Sequence, residues 1–395
     1  MSWPMVELKK LVLKVDKWNP VKDGGDDQIT YIDLSSVDKD SKAIKNEDVQ
    51  KIQACLAPSR ARQLVDSADV LVATVRPNLN GVALVSSDYQ GATASTGYCV
   101  LRPNNKLLDS KYLFYWVQTE SFVSDMMGKA TGANYPAVSD KIVKESQIPL
   151  PPLDEQKRIA AILDKADAIR QKRKQAIALA DEFLRSVFLD MFGDPVTNPK
   201  GWEVKEVSTV CTEIVDCVNR TAPTVDYETP YKMIRTTNVR DKKINLSETR
   251  YVEFETYKTW IRRLKPQKGD LIFTREAPAG EAGVIETDDF IFLGQRTMHF
   301  RPNQTLIHPV FLLHELTAAG VKRQIVKLSA GSTVTHLSVP ECKKFLIRVP
   351  SIAKQLSFVN LVRELDKKVK RGTESLLDSD SLFNALSQKA FSGQL

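Results

Sequence analysis

The sequence predicts an α+β protein: two similar mixed α/β domains joined by two long antiparallel helices that form an intramolecular coiled coil, with pseudo-twofold symmetry. Three observations predict it. The chain repeats itself once at a nearly constant offset, the first part of each copy is rich in short strand-like runs, and each copy closes on a proline-free stretch with helical periodicity.

The repeat is read from anchors. Trp3 and Trp202 lie 199 apart and open similar segments, Trp3-Pro-Met-Val-Glu-Leu8 and Trp202-Glu-Val-Lys-Glu-Val207. Arg102-Pro103-Asn104 matches Arg301-Pro302-Asn303 at the same offset, and from Gly132/Gly331 to Phe192/Phe391 it holds without a gap. Ser139/Ser338, Pro151/Pro350, Gln156/Gln355 and Asp167/Asp366 fall on that register. The offset slips to 201 for Asp69-Val-Leu-Val against Asp270-Leu-Ile-Phe, and to 202 for Ile32 to Val37 against Ile234 to Val239. Slips of this size belong in loops between strands. Two copies are too few for a solenoid, which leaves a tandem duplication.

The elements follow in order. Val70 to Val75, Tyr98 to Leu101, Asp270 to Thr274 and Asp289 to Leu293 are short, β-branched or aromatic, and bounded by turn formers such as Pro77-Asn78, Gly91 and Pro302-Asn303. Apolar residues at three- and four-residue spacing predict a short helix over Tyr112 to Met127 and another over Pro309 to Leu328. Pro151-Pro152 and Pro350-Ser351 stand just ahead of the long stretches, where proline is tolerated. In the first stretch the apolar stripe runs Ile159, Ile162, Leu163, Ala166, Ile169, Ile177, Ala180, Phe183, Leu184, Val187, and Gly193-Asp194-Pro195 ends it. Each stretch reaches roughly 60 Å as a helix, and a narrow stripe on so long a helix needs a partner helix. The expected division is therefore 1–150, a globular domain; 151–193, the first long helix; 194–349, the second globular domain; and 350–395, the second long helix.

Composition narrows the function. The 395 residues carry a net charge of +7, a mild excess that fits a polyanionic partner without requiring one. Five scattered cysteines include no Cys-x-x-Cys pair, so neither a zinc site nor a disulfide framework is indicated. The N-terminus lacks a signal-peptide pattern and no apolar run approaches the ~20 residues that span a bilayer; the expectation is a soluble cytoplasmic protein without a membrane partner. No phosphate-binding loop, dinucleotide fingerprint, His-Glu-x-x-His or Gly-x-Ser-x-Gly is present, nor an Asn-Pro-Pro-aromatic tetrapeptide. The four histidines, His299, His308, His314 and His336, have no ligand spacing and no counterparts in the first copy. No catalytic residue and no metal ligand is predicted, which favours a binding protein over an enzyme.

The segment Ile148-Pro-Leu-Pro-Pro-Leu-Asp-Glu-Gln-Lys-Arg-Ile159, leading to Leu189-Asp-Met-Phe-Gly-Asp194, resembles the central conserved region of type I restriction-modification specificity subunits. Asn198-Pro-Lys-Gly-Trp202 and the Asp-Val-Leu-Val and Asp-Leu-Ile-Phe-Thr-Arg strands resemble that family too, over the whole order of parts. Ser351-Ile-Ala-Lys-Gln355 departs from the fuller Pro-Leu-x-Glu-Gln form, and Gly372 falls within the second long stretch. The resemblance implies that the globular domains are target recognition domains, each reading half of a bipartite double-stranded DNA site, while the paired helices set the spacer. It also implies docking of methyltransferase subunits and a restriction/translocase subunit. S-adenosylmethionine, ATP and magnesium then belong to those partners, with no cofactor in this chain.

Base discrimination needs loops bearing Arg, Asn, Gln, Ser and Thr, whose donors and acceptors match base edges. In the first copy the candidates are Arg76, Asn78, Asn80, Asn134 and Tyr135. In the second they are Arg275, Gln295, Arg296, Thr333 and Thr335, with Arg235 and Asn238 further out. Lys172, Arg173 and Lys174, aligned with Lys370 and Arg371, are candidates for docking a partner or the DNA backbone. A free-standing regulator of a split operator and an enzyme with an unrecognised site remain open as alternatives.

Overall fold

Runs of β-branched residues become fully buried strands in the structure, a computed structural model that describes residues 3–132, 134–329 and 336–395. Val70–Ala73 and Leu271–Thr274 are buried at every position, which is why they read as continuous apolar runs instead of alternating ones. The chain divides into two units, Met1–Ile177 with Arg371–Leu395, and Ala178–Lys370. Each unit thus takes in one globular domain and a portion of each long helix.

In the first unit a four-stranded antiparallel sheet runs in the order Val12–Leu13, Tyr98–Pro103, Val70–Ala73, Val82–Leu84. A second sheet runs Gln50–Gln53, Gln28–Ile32, Thr93–Ser95, Ala61–Leu64, with its central pair parallel. The strand Met5–Glu7 pairs with Gln147–Pro149 just before the long helix begins. The second unit repeats this plan. Cys211–Asp216, Thr297–Pro302, Leu271–Thr274 and Ala282–Val284 keep the order of the first sheet, and Val204–Glu206 pairs with Leu346–Arg348. Its second sheet has three strands, Arg250–Tyr251, Tyr231–Ile234 and Phe290–Leu293, again with a parallel pair. On the repeat register Ala61–Leu64 falls on residues 262–265, which form no strand, and the helix Phe254–Trp260 stands near the place of the turn Ala54–Leu56.

The repeat anchors hold these sheets. Asp69 precedes the strand Val70–Ala73, and the Arg102 guanidinium grips its carboxylate through Nε at 2.9 Å and Nη2 at 2.9 Å. In the second unit Arg301 grips Asp270 at 3.0 and 2.7 Å. Fork-to-fork pairing of this kind gives geometric specificity as well as energy. His299 Nε2 donates to Asp270 at 2.7 Å as well. Burial opposes ionisation of Asp270, but the bonds from His299 and Arg301 hold its carboxyl below the usual carboxylate range.

Each short helix predicted from periodicity is in fact two. Ser110–Trp116 and Glu120–Lys129 replace the first, and Pro309–Leu316 and Ala319–Leu328 the second. Thr119 explains the first interruption: its Oγ1 accepts from the Phe122 amide at 3.2 Å and caps a new N-terminus. In the second unit a Cβ at Gly320 would stand 2.7 Å from the Pro195 carbonyl oxygen, so the backbones approach closely there.

The long helices are Leu153–Phe192 and Ile352–Phe391, 40 residues each. Gly193, at φ 77°, supplies the left-handed residue that ends the first. The second runs unbroken through Gly372. In the first unit the helices are antiparallel: Arg158 donates to the Leu395 carbonyl, Arg170 stacks on the Phe383 ring at 4.2 Å, and Arg173 donates to the Ser375 carbonyl at 2.6 Å. In the second unit Phe188 and Phe192 pack on Phe358, ring centroids 5.2 and 5.6 Å apart. The apolar stripe is wider than one seam. Ile159, Leu163, Ala180 and Leu184 are buried, whereas Ile169 and Phe183 are 51% and 55% exposed. Among the described residues no helix is long and apolar enough to cross a membrane.

The glutamine that recurs three residues into each long helix is a lock between helix and domain. Gln156 is fully buried; its Oε1 accepts from the Asp109 amide at 2.9 Å, and its Nε2 donates to the Leu107 and Pro151 carbonyls at 3.0 and 2.9 Å. Gln355 repeats this with His308, Leu306 and Pro350 at 2.8, 3.0 and 2.8 Å. Gln355→Ala leaves these buried backbone groups unpaired and is expected to cost about 2–3 kcal/mol. The urea midpoint, compared with that of Gln355→Glu, checks this: Glu retains the acceptor but sets a buried carboxylate against the Leu306 and Pro350 carbonyls, and should lose at least as much at neutral pH.

Candidate nucleic-acid interface

In the first unit the buried strand Val70–Ala73 delivers the chain to a polar loop. Thr74 is tied down by its hydroxyl, which donates to the Gly97 carbonyl at 2.9 Å. Val75 then bridges to Ala137. Arg76 takes the left-handed conformation at φ 52°, with its amide donating to the Pro136 carbonyl at 2.7 Å. A turn at Pro77–Leu79 follows, and Asn80 is left-handed again at φ 46°. Non-glycine residues avoid this region unless the surroundings hold them there.

Arg76, Asn78, Asn134 and Tyr135 are all exposed, and the Arg76 guanidinium lies 4.4 Å from the Tyr135 ring centroid. These two therefore come together although 59 residues separate them. Gly132, at φ 97°, makes the turn that carries Asn134 and Tyr135; a Cβ there would meet the Tyr135 carbonyl at 2.9 Å. Asn80 faces inward instead. Its Nδ2 donates to the Gln118 carbonyl at 3.2 Å, and its own carbonyl accepts from Lys42 Nζ at 2.6 Å. Lys42 did not stand out in the sequence. It belongs to the turn between Val37–Asp38 and Ala43–Ile44, and burial pushes its ammonium down to about 8, against the pull of Asp40.

In the second unit the corresponding exit holds different chemistry. Arg275 occupies the place of Thr74, its amide bonded to the Arg296 carbonyl at 2.8 Å as Thr74 is to Gly97. Its side chain is buried at 9% exposure, and Nη1 donates to the Leu337 carbonyl at 3.1 Å. Ala277, at φ 53°, stands where Arg76 stands in the first unit. Gln295 and Arg296 are exposed; Arg296 Nε donates to Glu276 at 3.1 Å, and Glu276 also pairs with His336. Glu276 and His336 fall on the register of the Val75–Ala137 bridge, so mapping one copy onto the other is the signal that finds them. Thr333 and Thr335 lie outside the described residues.

Arg235 and Asn238 serve the backbone. Asn238 is 3% exposed; its Oδ1 accepts from the Arg235 amide at 3.0 Å, and its Nδ2 donates to the Asn245 and Glu248 carbonyls at 3.2 Å each. Ser36 does the same work in the first unit, accepting from the Asp33 amide at 3.1 Å and donating to the Asp48 carbonyl at 2.9 Å. Arg235 reaches the Glu248 carbonyl through Nη2 at 3.2 Å.

On the helices, Lys172, Lys370 and Arg371 are exposed and Lys174 half-buried. Arg173 turns to the partner helix, where it donates to the Ser375 carbonyl and meets the Ser379 hydroxyl. No group of His, Cys, Asp and Glu suited to hold a metal occurs among the described residues.

Residues 64–179 match the family model described as the Type I restriction modification DNA specificity domain. The chain is 22% identical over 310 residues to the type I restriction enzyme EcoBI specificity subunit of Escherichia coli, covering 71% of this chain and 65% of that protein. It is 25% identical over 287 residues to the MjaVIII specificity subunit of Methanocaldococcus jannaschii, covering 68% of this chain and 66% of that one. The chain thus spans just under two thirds of the length of these two relatives. Among solved structures, the type I restriction-modification system S subunit from M. genitalium shares the fold at a TM-score of 0.58 and 14% identity, over 99% of this chain and 96% of that one.

Proposed function

We propose that the chain is a specificity subunit of the type I restriction-modification family and that it reads a bipartite double-stranded DNA target for a multisubunit methyltransferase and endonuclease. One observation carries the reading: a single chain holds two copies of the same domain, and each copy exposes polar side chains in a loop bordering a buried central strand, Arg76 and Asn78 after Val70–Ala73 in the first and Gln295 and Arg296 before Thr297–Pro302 in the second. Two such readers address two half-sites, and the bases between go uncontacted. In the first half-site Arg76, Asn78, Asn134 and Tyr135 face the bases. In the second, Gln295 and Arg296 do so, while Asn80, Arg235, Asn238 and Arg275 hold the loops in place.

Catalysis belongs to partners in this reading. Methyltransferase subunits bring S-adenosylmethionine, and a restriction/translocase subunit brings ATP and magnesium. The long helices offer docking surface through Lys172, Lys370 and Arg371 and through exposed apolar residues. Ile169 and Leu377 on the first unit are 51% and 62% exposed, and Phe183 and Leu361 on the second are 55% and 45%. Apolar side chains left on an outer helix face favour a partnered subunit over a free-standing regulator.

Mapping methylated adenines in the host genome tests the proposal. The wild-type chain is expected to give a split motif with a fixed gap. Inserting one helical turn, about four residues, into both long helices is expected to change the gap and leave the two half-motifs intact. A continuous motif, or an insertion that alters the half-motifs, contradicts it.

A further inference from the structure

We infer that Tyr135 and Arg76 together form a stacking platform for the face of one base that leaves the helical stack in the half-site read by the first unit. The inference rests on the DNA-reading function above and assigns one of its contacts. Tyr135 is 66% exposed, far more than a tyrosine placed for packing. One face of its ring is covered by the Arg76 guanidinium at 4.4 Å, and a cation there strengthens the ring's hold on an electron-rich base.

The platform is built in advance of any ligand. The tyrosine loop is clamped at its base by paired bonds between Thr131 and Ala137, at 3.0 and 2.9 Å. Arg76 is fixed in its left-handed conformation by the Pro136 carbonyl, the residue next to Tyr135. The far end of the arginine loop is held by Lys42 and Gln118 through Asn80. An aromatic ring and a guanidinium held this way lose little freedom on binding. Stacking also tolerates any base, since every base has a π-face, so this contact supplies affinity at a chosen position while neighbouring Asn78 and Asn134 supply the hydrogen bonds that discriminate.

The second unit lacks the pair. Ala277 stands at the position of Arg76, and the residue on the register of Tyr135 is Val334. This pair therefore belongs to the first half-site.

The experiment measures binding of the full chain to three fluorescein-labelled duplexes: the mapped target, the target with its first half-site scrambled, and the target with its second half-site scrambled. Tyr135→Ala is expected to weaken binding to the intact target roughly 5- to 100-fold, the range for losing one base from an aromatic ring. Tyr135→Phe should restore it, and neither change should alter binding when the first half-site is scrambled, because without the hydrogen bonds of Asn78 and Asn134 the first unit does not seat on the bases and the ring meets none. A tetrahydrofuran abasic residue walked through the first half-site should locate one position where wild type and Tyr135→Ala become equal. If Tyr135→Ala binds all three duplexes like wild type, or loses equally on all three, the platform is wrong while DNA reading stands. If wild type itself does not distinguish the three duplexes, the DNA-reading proposal fails first.

Discussion

Arg348→Ala is expected to lower the stability of the second unit by about 3–5 kcal/mol, the cost of stranding one partner of a buried ion pair. Arg348 and Glu315 are 2% and 3% exposed. The guanidinium meets Glu315 Oε1 through Nη2 at 2.6 Å, and through Nη1 it donates to the Phe192 and Gly193 carbonyls at 2.9 and 2.7 Å. Those carbonyls are the unsatisfied, negative end of the first long helix. One residue therefore neutralises a buried carboxylate and caps a helix C-terminus. Without it, burial pushes the Glu315 carboxyl up with nothing to oppose the shift. The variant's deficit should then shrink as pH falls and Glu315 takes a proton. Urea midpoints at neutral and mildly acidic pH measure both effects. The double variant Glu315→Leu with Arg348→Leu should keep the loss from the uncapped Phe192 and Gly193 carbonyls but recover that from the stranded carboxylate, because the fold does not need the pair. On the repeat register its members correspond to Trp116 and Pro149, both buried in the first unit. A midpoint for Arg348→Ala equal to wild type rules the account out. If that variant does not fold, the double variant and Arg348→Lys still order the effect.

This pair also marks where sequence reading ends. The duplication, the strand Val70–Ala73 and its mate, and both long helices were legible because each rests on local periodicity or on a fixed offset. Roles that depend on distant partners were not. Asn238 and Arg275 looked like free polar loop residues until Glu248 and Leu337 were placed beside them. Arg173 read as part of a basic surface cluster, yet the second long helix takes it up 202 residues away. Even the repeat, followed position by position, carries more than composition does: it sets Ser36 against Asn238 and Arg76 against Ala277. The first pairing identifies a shared backbone brace, the second a difference in the reading surface. What no alignment of the copies could give is which side of a helix stays bare, since Ile169 and Phe183 belong to the same apolar periodicity as Leu163 and Leu184.

Acid acts on one unit before the other. His314 is 7% exposed, its ring 5.6 Å from Phe188 and 4.9 Å from Phe358. Burial, with Lys242 adding to it, pushes its pKa from 6.5 down to about 3. The folded second unit therefore keeps His314 neutral over a range in which the unfolded chain takes up a proton. Its contribution is complete above the unfolded value of 6.5 and is lost as pH falls toward 3, by about 1.4 kcal/mol for each pH unit. On the repeat register the first unit has Tyr115, whose hydroxyl donates to Asp164 at 2.7 Å. Burial pushes that phenol up, away from this range. Between pH 6.5 and about 5 the second unit is thus expected to lose about 2 kcal/mol more than the first. Amide exchange in Pro309–Leu316 should accelerate while that in Ser110–Trp116 does not. His314→Leu should remove most of the difference, the half-buried His308 with its lowered pKa leaving the rest, and recognition of the second half-site should then persist to lower pH than in wild type. Equal acceleration of both helices, or an unchanged profile in His314→Leu, would show that another group sets the acid limit.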